Sequence, residues 1–249
     1  MVPSKELKGI VDALRLAYRD TRHAAEMDAL YGRFLAPGDL AFDIGSLVGN
    51  RIGSFRRLGA RVVALEPGPL ANRALRLLYG RDPNVTLIRA ACGESEGAVR
   101  LSVNSENPSV STVSDAFIEA ACGADGWQGQ RWDRTIDVAC TTLDTLIGGC
   151  GVPQFIKIDV EGHEVEVLSG LRTPVAGVSF EFTTIQREIA HRCLNRLTDV
   201  GPYQFNVSLR EDNRLMFEQP VTASQMAAYV DGLPHEANSG DIFATLSGS

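Results

Sequence analysis

Residues 40–49 of this chain read LAFDIGSLVG, a short apolar run that meets an acid and then two glycines four residues apart. The apolar run predicts a buried strand over 40–44, and the pattern from about 49 to 58 is helical. A β-branched run at 61–65 then predicts a second strand. Strand, helix and strand in such close succession require a parallel crossover, so this stretch predicts an α/β fold.

The same alternation continues along most of the chain. Further elements are predicted as a helix at about 70–79, a strand at 85–90, a strand at 155–158, a helix at 164–171, a strand at 178–182 and a helix at 185–197. These two blocks of β-α alternation predict one doubly wound sheet. Alternating residues in the tail predict three antiparallel edge strands, over 203–209, 215–217 and 242–246.

Two regions depart from this rhythm. Residues 4–35 have helical periodicity and end at Ala-Pro-Gly, so we expect an N-terminal helical cap over 1–35 and one domain over 36–249. Residues 93–140 predict an insertion over the edge of the sheet, before its fourth strand. Its part from about Asn104 to Trp132 is rich in Ser, Asn and Gly, offers few apolar anchors and is expected to act as a mobile lid. Trp127 and Trp132 either line a substrate pocket there or form a small satellite core.

Composition narrows the class of protein. The 249 residues carry 24 Lys and Arg against 31 Asp and Glu, a net charge of −7, which makes nucleic acid and anionic membranes poor partners. No run approaches the ~20 apolar residues of a membrane span. The five cysteines lack the C-x-x-C spacing of zinc or redox sites. We therefore expect a soluble, unexported, cytoplasmic protein; its oligomeric state is not encoded in any pattern we recognise.

The turn after the first predicted strand indicates a ligand site. Gly45 and Gly49 allow a ligand to approach the backbone, although a tight strand-helix bend would need the same residues. The dinucleotide fingerprint G-x-G-x-x-G would require Gly at Leu47 and Gly or Ala at Asn50. A cofactor without a pyrophosphate therefore fits better.

S-adenosylmethionine is such a cofactor. Asp43 can attract its ammonium, and backbone N–H groups of the turn around Ser46 can bind its carboxylate. Glu66 ends the second strand, where an acid can accept hydrogen bonds from both ribose hydroxyls. Because nicotinamide cofactors carry the same ribose, Glu66 indicates an adenosyl group, and the glycine spacing favours S-adenosylmethionine.

A second polar cluster follows the strand at 155–158. Asp159, Glu161, His163 and Glu164 lie at the carboxyl end of that strand, where doubly wound sheets bind ligands. Such groups can supply a general base and a transferring geometry for the methyl group of the cofactor, so Asp159 is also expected to bind the cofactor. Glu161 and Glu164 could instead only favour the N-terminus of the following helix, so Asp159 is the strongest candidate.

Five motifs together resemble the FkbM family of S-adenosylmethionine-dependent methyltransferases. They are Asp43-Ile44-Gly45, Ala64-Leu65-Glu66-Pro67, Ala91-Cys92-Gly93, Thr142-Leu143-Asp144 and Lys157-Ile158-Asp159-Val160-Glu161-Gly162, in the order and spacing of that family. The similarity extends from residue 40 to about 182.

This resemblance implies a Rossmann-like, seven-stranded class I methyltransferase sheet and a hydroxyl acceptor on a natural product or sugar. It assigns residues to three parts of the cofactor: the methionine end (Asp43, Gly45, Ser46, Gly49), the ribose (Glu66, Pro67) and the adenine (Ala91, Cys92). Two departures are Ser46-Leu47-Val48, where the family tends toward Ala-Asn-Ile, and His163, where Ala is usual.

We therefore expect O-methyl transfer to a small-molecule hydroxyl, with Asp159, His163 or Glu161 as the catalytic group. Asp159 and Glu181 end neighbouring predicted strands and could share Mg²⁺. Hard-metal sites need more oxygen ligands than these, so metal-free chemistry is favoured. The alternatives are a nicotinamide oxidoreductase on the same fold and a non-catalytic cofactor-binding module.

Overall fold

The computed structural model describes residues 4–248, and their centre is a seven-stranded sheet with strand order β3-β2-β1-β7-β8-β10-β9. Its strands are β1 (Leu40–Ile44), β2 (Arg61–Leu65), β3 (Val85–Ile88), β7 (Phe155–Ile158), β8 (Gly177–Thr183), β9 (Tyr203–Leu209) and β10 (Ser239–Leu246). All neighbours are parallel except β10, which runs antiparallel to β8 and β9. The predicted α/β sheet of seven strands is confirmed.

Helices cover both faces of this sheet. They are α1 (Ser4–Arg19), α2 (Thr21–Tyr31), α3 (Asn50–Arg57), α4 (Pro69–Tyr79), α6 (Leu143–Cys150), α7 (Glu164–Ser169), α8 (Arg187–Val200) and α9 (Ala223–Gly232). One core contains buried residues of α6, α7, α8 and α9, and the other contains those of α2, α3 and α4. None of the helices between residues 4 and 248 is both long and apolar enough to cross a membrane.

The central strand β1 determines where the site lies. All five of its residues are buried between β2 and β7, as its apolar run predicts. Asp43 lies in register with Ala64 on one side and Lys157 on the other. Because all three strands are parallel, their carboxyl ends meet at one edge of the sheet, and the predicted site residues follow those ends.

The predicted insertion over 93–140 contributes two of the three strands of a small second sheet, whose order is β4-β6-β5 and whose strand β4 lies just before the insertion. Its strands are β4 (Ala91–Cys92), β5 (Gly97–Val103) and β6 (Arg134–Thr141), and α5 (Asp115–Gly123) lies between β5 and β6. A separate apolar cluster forms here from Val110, Phe117, Ala121 and Trp127, with Trp132 packed against it. Both tryptophans therefore belong to a satellite core.

Two predicted elements differ from the structure. Residues 215–217 form no strand, because the side chain of Asn206 donates to the carbonyl of Phe217 (2.7 Å) and accepts from its N–H (3.1 Å) in place of a strand partner. The helical region 4–35 is two helices, since Asp20 caps α2 by accepting from the N–H groups of Arg22 and His23. Residues 1–3 of the predicted cap lie outside the described residues, and its boundary at residue 35 stays a prediction.

Candidate active site

The turn after β1 brings the ends of two strands into contact. Gly45 has a φ of +87°, and a Cβ built on it would lie 1.8 Å from the carbonyl oxygen of Asp159. Only glycine allows this approach, which sets the turn of β1 directly against the residue that follows β7. The next turn residues include Leu47, whose N–H donates to the Glu66 carboxylate at 2.9 Å. One turn thus joins the ends of β1, β2 and β7.

An open cleft lies over this turn and encloses about 780 Å³, part of which is open to solvent. Six of the residues predicted to bind the cofactor line it: Gly45, Glu66, Pro67, Ala91, Cys92 and Asp159. Helix α1 and the insertion close it from the other side, through Ile10 and Ser109 among others. We call it the cofactor cleft.

Glu66 is held in place by the backbone. It is 8% exposed, and its two carboxylate oxygens accept from the N–H groups of Leu47 and Gly68 (2.6 Å for the latter). Burial raises the pKa of Glu66 to about 7, although these two hydrogen bonds lower it. Each oxygen retains a lone pair that can accept from a ligand hydroxyl.

Asp43 lies behind the wall of the cleft and does not line it. It is 1% exposed, and neither carboxylate oxygen has a hydrogen-bond partner. Burial raises the pKa of Asp43 to about 6. A buried carboxylate without a partner is costly, which makes Asp43 a candidate for binding a cationic group. Gly49 also lies outside the cleft, where a Cβ would meet Tyr79 and Leu75 at 2.7 and 2.8 Å.

A second cavity adjoins the cofactor cleft, and we call it the inner cavity. It also measures about 780 Å³, and Ser46 lines it. The two cavities share Gly45, Leu47, Ser109, Asp159 and Glu161. A molecule in the inner cavity would therefore face one in the cofactor cleft across Asp159 and Glu161.

Asp159 is fixed by two cations. Its Oδ2 lies 3.4 Å from the Lys157 Nζ and 3.6 Å from the Arg51 guanidinium. Lys157 is fully buried and also contacts Asp241 at 2.5 Å. Burial alone would raise the pKa of Asp159, but Lys157 and Arg51 outweigh that effect and lower it. Asp159 is therefore a carboxylate across the neutral pH range.

Two further carboxylates lie beside Asp159. One oxygen each of Asp159, Glu161 and Glu181 lies within 4.8 Å of the others. Glu181 reaches this position because β8 is the neighbour of β7, as predicted. Burial and then the negative charge of Asp159 raise the pKa of both Glu161 and Glu181 well above their usual range.

His163 and Glu164 have different surroundings. His163 lines the cofactor cleft but not the inner cavity, and its Nδ1 lies 3.4 Å from Glu166. Burial lowers the pKa of His163. Glu164 is buried and accepts from the N–H groups of Val160 and Gly162. These hydrogen bonds hold the loop after β7.

A comparison with models of known protein families shows which family the chain belongs to. The model of the methyltransferase FkbM domain matches residues 43–201, which is most of the chain. The chain belongs to the FkbM methyltransferase family. The resemblance found in the sequence is thereby confirmed, and the nicotinamide oxidoreductase alternative is wrong.

Known proteins similar to this FkbM methyltransferase include one curated relative. The hexuronic acid methyltransferase AglP of Haloferax volcanii is 24% identical over 196 residues, covering 78% of this chain and 69% of AglP. Among solved structures, fibrillarin of Aeropyrum pernix with bound S-adenosyl-L-methionine has a TM-score of 0.48, 13% identity and coverage of 92% and 76% of the two chains. An O-methyltransferase of Bacillus cereus has a TM-score of 0.41, 13% identity and coverage of 99% and 93%.

This family assignment makes the chain an S-adenosylmethionine-dependent methyltransferase. The cofactor cleft fits that cofactor in two respects. The unpartnered carboxylate of Asp43 lies behind the β1 turn, where an ammonium would offset its charge. Glu66 presents spare lone pairs to the cleft, where ribose hydroxyls can donate to them.

Sequence reasoning missed the cations behind Asp159. Lys157 is a single charge in an otherwise apolar strand, and this signal could have indicated a buried ion pair. Arg51 is the second residue of α3, the helix that follows the glycine turn directly. Asp241 on β10 gave no local signal, because only the antiparallel pairing of β10 with β8 brings it to Lys157.

Proposed function

We propose that this chain is an O-methyltransferase that acts on a hydroxyl of a small molecule, of the sugar or natural-product type. The observation that carries the proposal is the meeting of the cofactor cleft and the inner cavity at Asp159 and Glu161. The inner cavity is lined by Asn, Ser, Thr and acidic side chains, which suit a polyhydroxylated acceptor. The activity in the name of AglP, toward a hexuronic acid, supports a sugar.

The residues of the cofactor cleft have separate tasks in this proposal. Asp43 offsets the ammonium of the cofactor, Glu66 binds both ribose hydroxyls, and the apolar wall at Ala91 and Cys92 accepts the adenine. When bound, the cofactor supplies an electrophilic methyl group on a sulfonium. The Gly45 turn lets the ligand approach the backbone at the end of β1. Positioning of this kind contributes most of the rate in an in-line displacement.

Proton removal falls to a group that faces both cavities. Asp159 and Glu161 do so, whereas His163 faces only the cofactor cleft. The hydroxyl proton becomes strongly acidic as the new C–O bond forms, so even a carboxylate with a low pKa can accept it. Asp159 is therefore the first candidate base, with Glu161 and His163 after it.

Metal-free transfer remains part of the proposal. The three carboxylates of Asp159, Glu161 and Glu181 lie near enough to hold a cation. Mg²⁺ binds through few carboxylates plus several waters, so the cluster alone does not establish a metal site. We expect excess EDTA to leave the rate of methyl transfer unchanged; loss of activity that Mg²⁺ restores would replace base catalysis by metal activation.

The decisive experiment measures cofactor binding and product chemistry together. In calorimetry, S-adenosylmethionine and its demethylated product should bind while NAD and NADP give no heat. Glu66→Ala should weaken binding by about 1 to 3 kcal/mol, the loss expected when hydrogen bonds to a charged acceptor disappear. Asp199→Ala, an exposed acid on α8, is the matched control and should bind like the parent protein.

The product is identified by transferring a ¹³C-labelled methyl group to a panel of hydroxylated acceptors. An O-methyl resonance in the product supports the proposal. A product methylated only on nitrogen or carbon would overturn O-transfer, and a protein that binds the cofactor without turning over any acceptor would support the non-catalytic alternative.

A further inference from the structure

The inner cavity continues outward into a larger groove beneath the N-terminal helices. This outer groove measures about 1160 Å³ and is bounded by α1, α2 and the insertion. The two spaces share Asn50, Ser109 and Glu211. Together they form one path from the protein surface to Asp159, and this path is the natural route for a methyl acceptor.

The inner part of this path is strongly acidic. Four carboxylates line the inner cavity, against the single guanidinium of Arg51; they are Asp159, Glu161, Glu181 and Glu211. Arg51 is shared among three acids, since its Nη2 lies 3.5 Å from Glu211, 3.6 Å from Asp159 and 3.9 Å from Asp241. One cation thus cannot neutralise the cavity.

Glu161 and Glu181 are the least compensated of the four acids. Within residues 4–248, no Lys, Arg or His forms an ion pair with either of them. The nearby ammonium of Lys157 is fully buried and pairs with Asp159 and Asp241. Two carboxyl groups therefore face a ligand space without a protein cation of their own.

The outer groove does not share this excess of charge. Asp12 pairs with Arg15 at 3.3 Å, and Glu106 pairs with Lys5 at 2.6 Å. Asp20 accepts two backbone hydrogen bonds at the start of α2. Carboxyl groups without a cationic partner are consequently concentrated beside the reacting end of the path.

The geometry points to an acceptor that is an amino-polyol, with a protonated amine close to the hydroxyl that is methylated. An ammonium offers three N–H donors, and its positive charge would let Glu161 and Glu181 release the protons that their raised pKa values retain. Hydroxyls along the same molecule can pair with polar residues of the cavity such as Asn50, Asn238 and Ser239. This inference rests on the proposed function and narrows its substrate class.

An acceptor with a carboxylate or phosphate is disfavoured at the same place. Its negative charge would be repelled by the ionised Asp159 and would not replace the protons that Glu161 and Glu181 retain. Although AglP is named for a hexuronic acid, the inner cavity of this chain is suited to the opposite charge.

The test compares glucose with two probes that each differ from it at one position: glucosamine carries an amine at C2 and glucuronate a carboxylate at C6. Each is titrated by ligand-observed NMR into the protein saturated with the demethylated cofactor product, at pH 7.5. Glucosamine should bind at least about tenfold more tightly than glucuronate, with glucose between them. Glu181→Gln should reduce that ratio several-fold, and Glu218→Gln, an exposed acid outside both cavities, should leave it unchanged.

Each outcome counts for or against the inference. Glucuronate binding as tightly as glucosamine, with or without added Mg²⁺, overturns it, as does the lack of saturable glucosamine binding. Glucosamine could bind preferentially and yet receive the methyl group on its nitrogen. That result would overturn the proposal of transfer to oxygen and would support the proposal of an amino-polyol acceptor. The two proposals can therefore fail separately.

Discussion

Asp159 and His163 follow the same strand but face different spaces, so substitution should separate their roles. Asp159→Asn should lower kcat by about 10²-fold or more, the usual share of a general base, with little change in cofactor affinity. His163→Ala should chiefly weaken cofactor binding, because His163 lines the cofactor cleft and is absent from the inner cavity. Steady-state kinetics and calorimetry on both variants provide the measurement.

The opposite pattern would reassign the base. A 100-fold fall in kcat for His163→Ala, at unchanged cofactor affinity, would make the imidazole the proton acceptor. Because Asn at position 159 leaves Lys157 and Arg51 with less negative charge nearby, a thermal melt must accompany the Asp159 variant. A folded protein with lost turnover is the informative result.

At the scale of elements, the turn between β1 and α3 depends on one close approach. Gly45 and Gly38 have similar φ values, +87° and +91°, but a Cβ on Gly38 would meet nothing within 4 Å. Gly38→Ala should therefore lower the free energy of unfolding by about 1 to 2 kcal/mol, the conformational cost alone. Gly45→Ala should cost more and should abolish cofactor binding, because its Cβ would overlap Asp159.

Urea denaturation of the two alanine variants measures this difference directly. Equal losses of stability would mean that only backbone conformation matters at Gly45 and that the contact with Asp159 adjusts freely. A larger loss for Gly45→Ala, together with loss of calorimetric binding, would tie the turn to the cofactor cleft.

The insertion is the element with the greatest expected mobility. Its apolar cluster around Phe117 anchors more of it than the Ser- and Asn-rich sequence suggests. Residues 124–133 form no helix or strand; Trp127 and Trp132 anchor them to this cluster, but Gly126 and Gly129 have positive φ and Arg131 is exposed. Trypsin should cut the ligand-free protein first at Arg131, since exposed loops without regular secondary structure open most easily.

Ligands should protect this loop, because Trp127 within it lines the inner cavity. Cleavage at Arg131 should slow when the demethylated cofactor product and an acceptor are both present. Cleavage at the exposed Arg172, outside the site, is the internal control. Unchanged cleavage at Arg131 would argue against a lid.

How far the sequence predicts the structure depends on the range of the interactions. The β1 turn and Glu66 are predictable because their signals are local: a glycine pattern and an acid at a strand end. The network around Asp159 is not, since Lys157 and Asp241 meet only through strand pairing and Arg51 reaches them from helix α3. Helix α9 was missed even though its signal is local, since the capping box at Thr222 and Gln225 could have located it.

For the whole molecule, buried acids without sufficient partners couple folding to pH. Burial raises the pKa of Asp43 to about 6 and the pKa of Glu66 and Glu164 to about 7. Ordinary acids titrate near 4, so between about pH 4 and 7 the folded protein binds more protons than the unfolded chain. Stability must then fall as pH rises through this window.

Other titratable groups do not reverse the direction of this pH dependence of stability. Acids with a lowered pKa, such as Asp159, finish titrating below the window. His163 has a lowered pKa, which makes stability rise with pH below its usual value, but it is one group against at least three.

We therefore predict that the ligand-free protein needs less urea to unfold at pH 8 than at pH 6. Glu164→Gln should flatten this dependence, because the amide cannot release the proton that the buried carboxyl loses. Asp199→Asn, at an exposed position, is the control and should leave the pH dependence of stability unchanged. Bound S-adenosylmethionine should also flatten it, since its ammonium offsets the charge that Asp43 acquires as pH rises. A ligand-free protein that is more stable at pH 8 than at pH 6 would contradict this prediction. It would show that these carboxyl groups ionise in the folded protein as easily as in the unfolded chain.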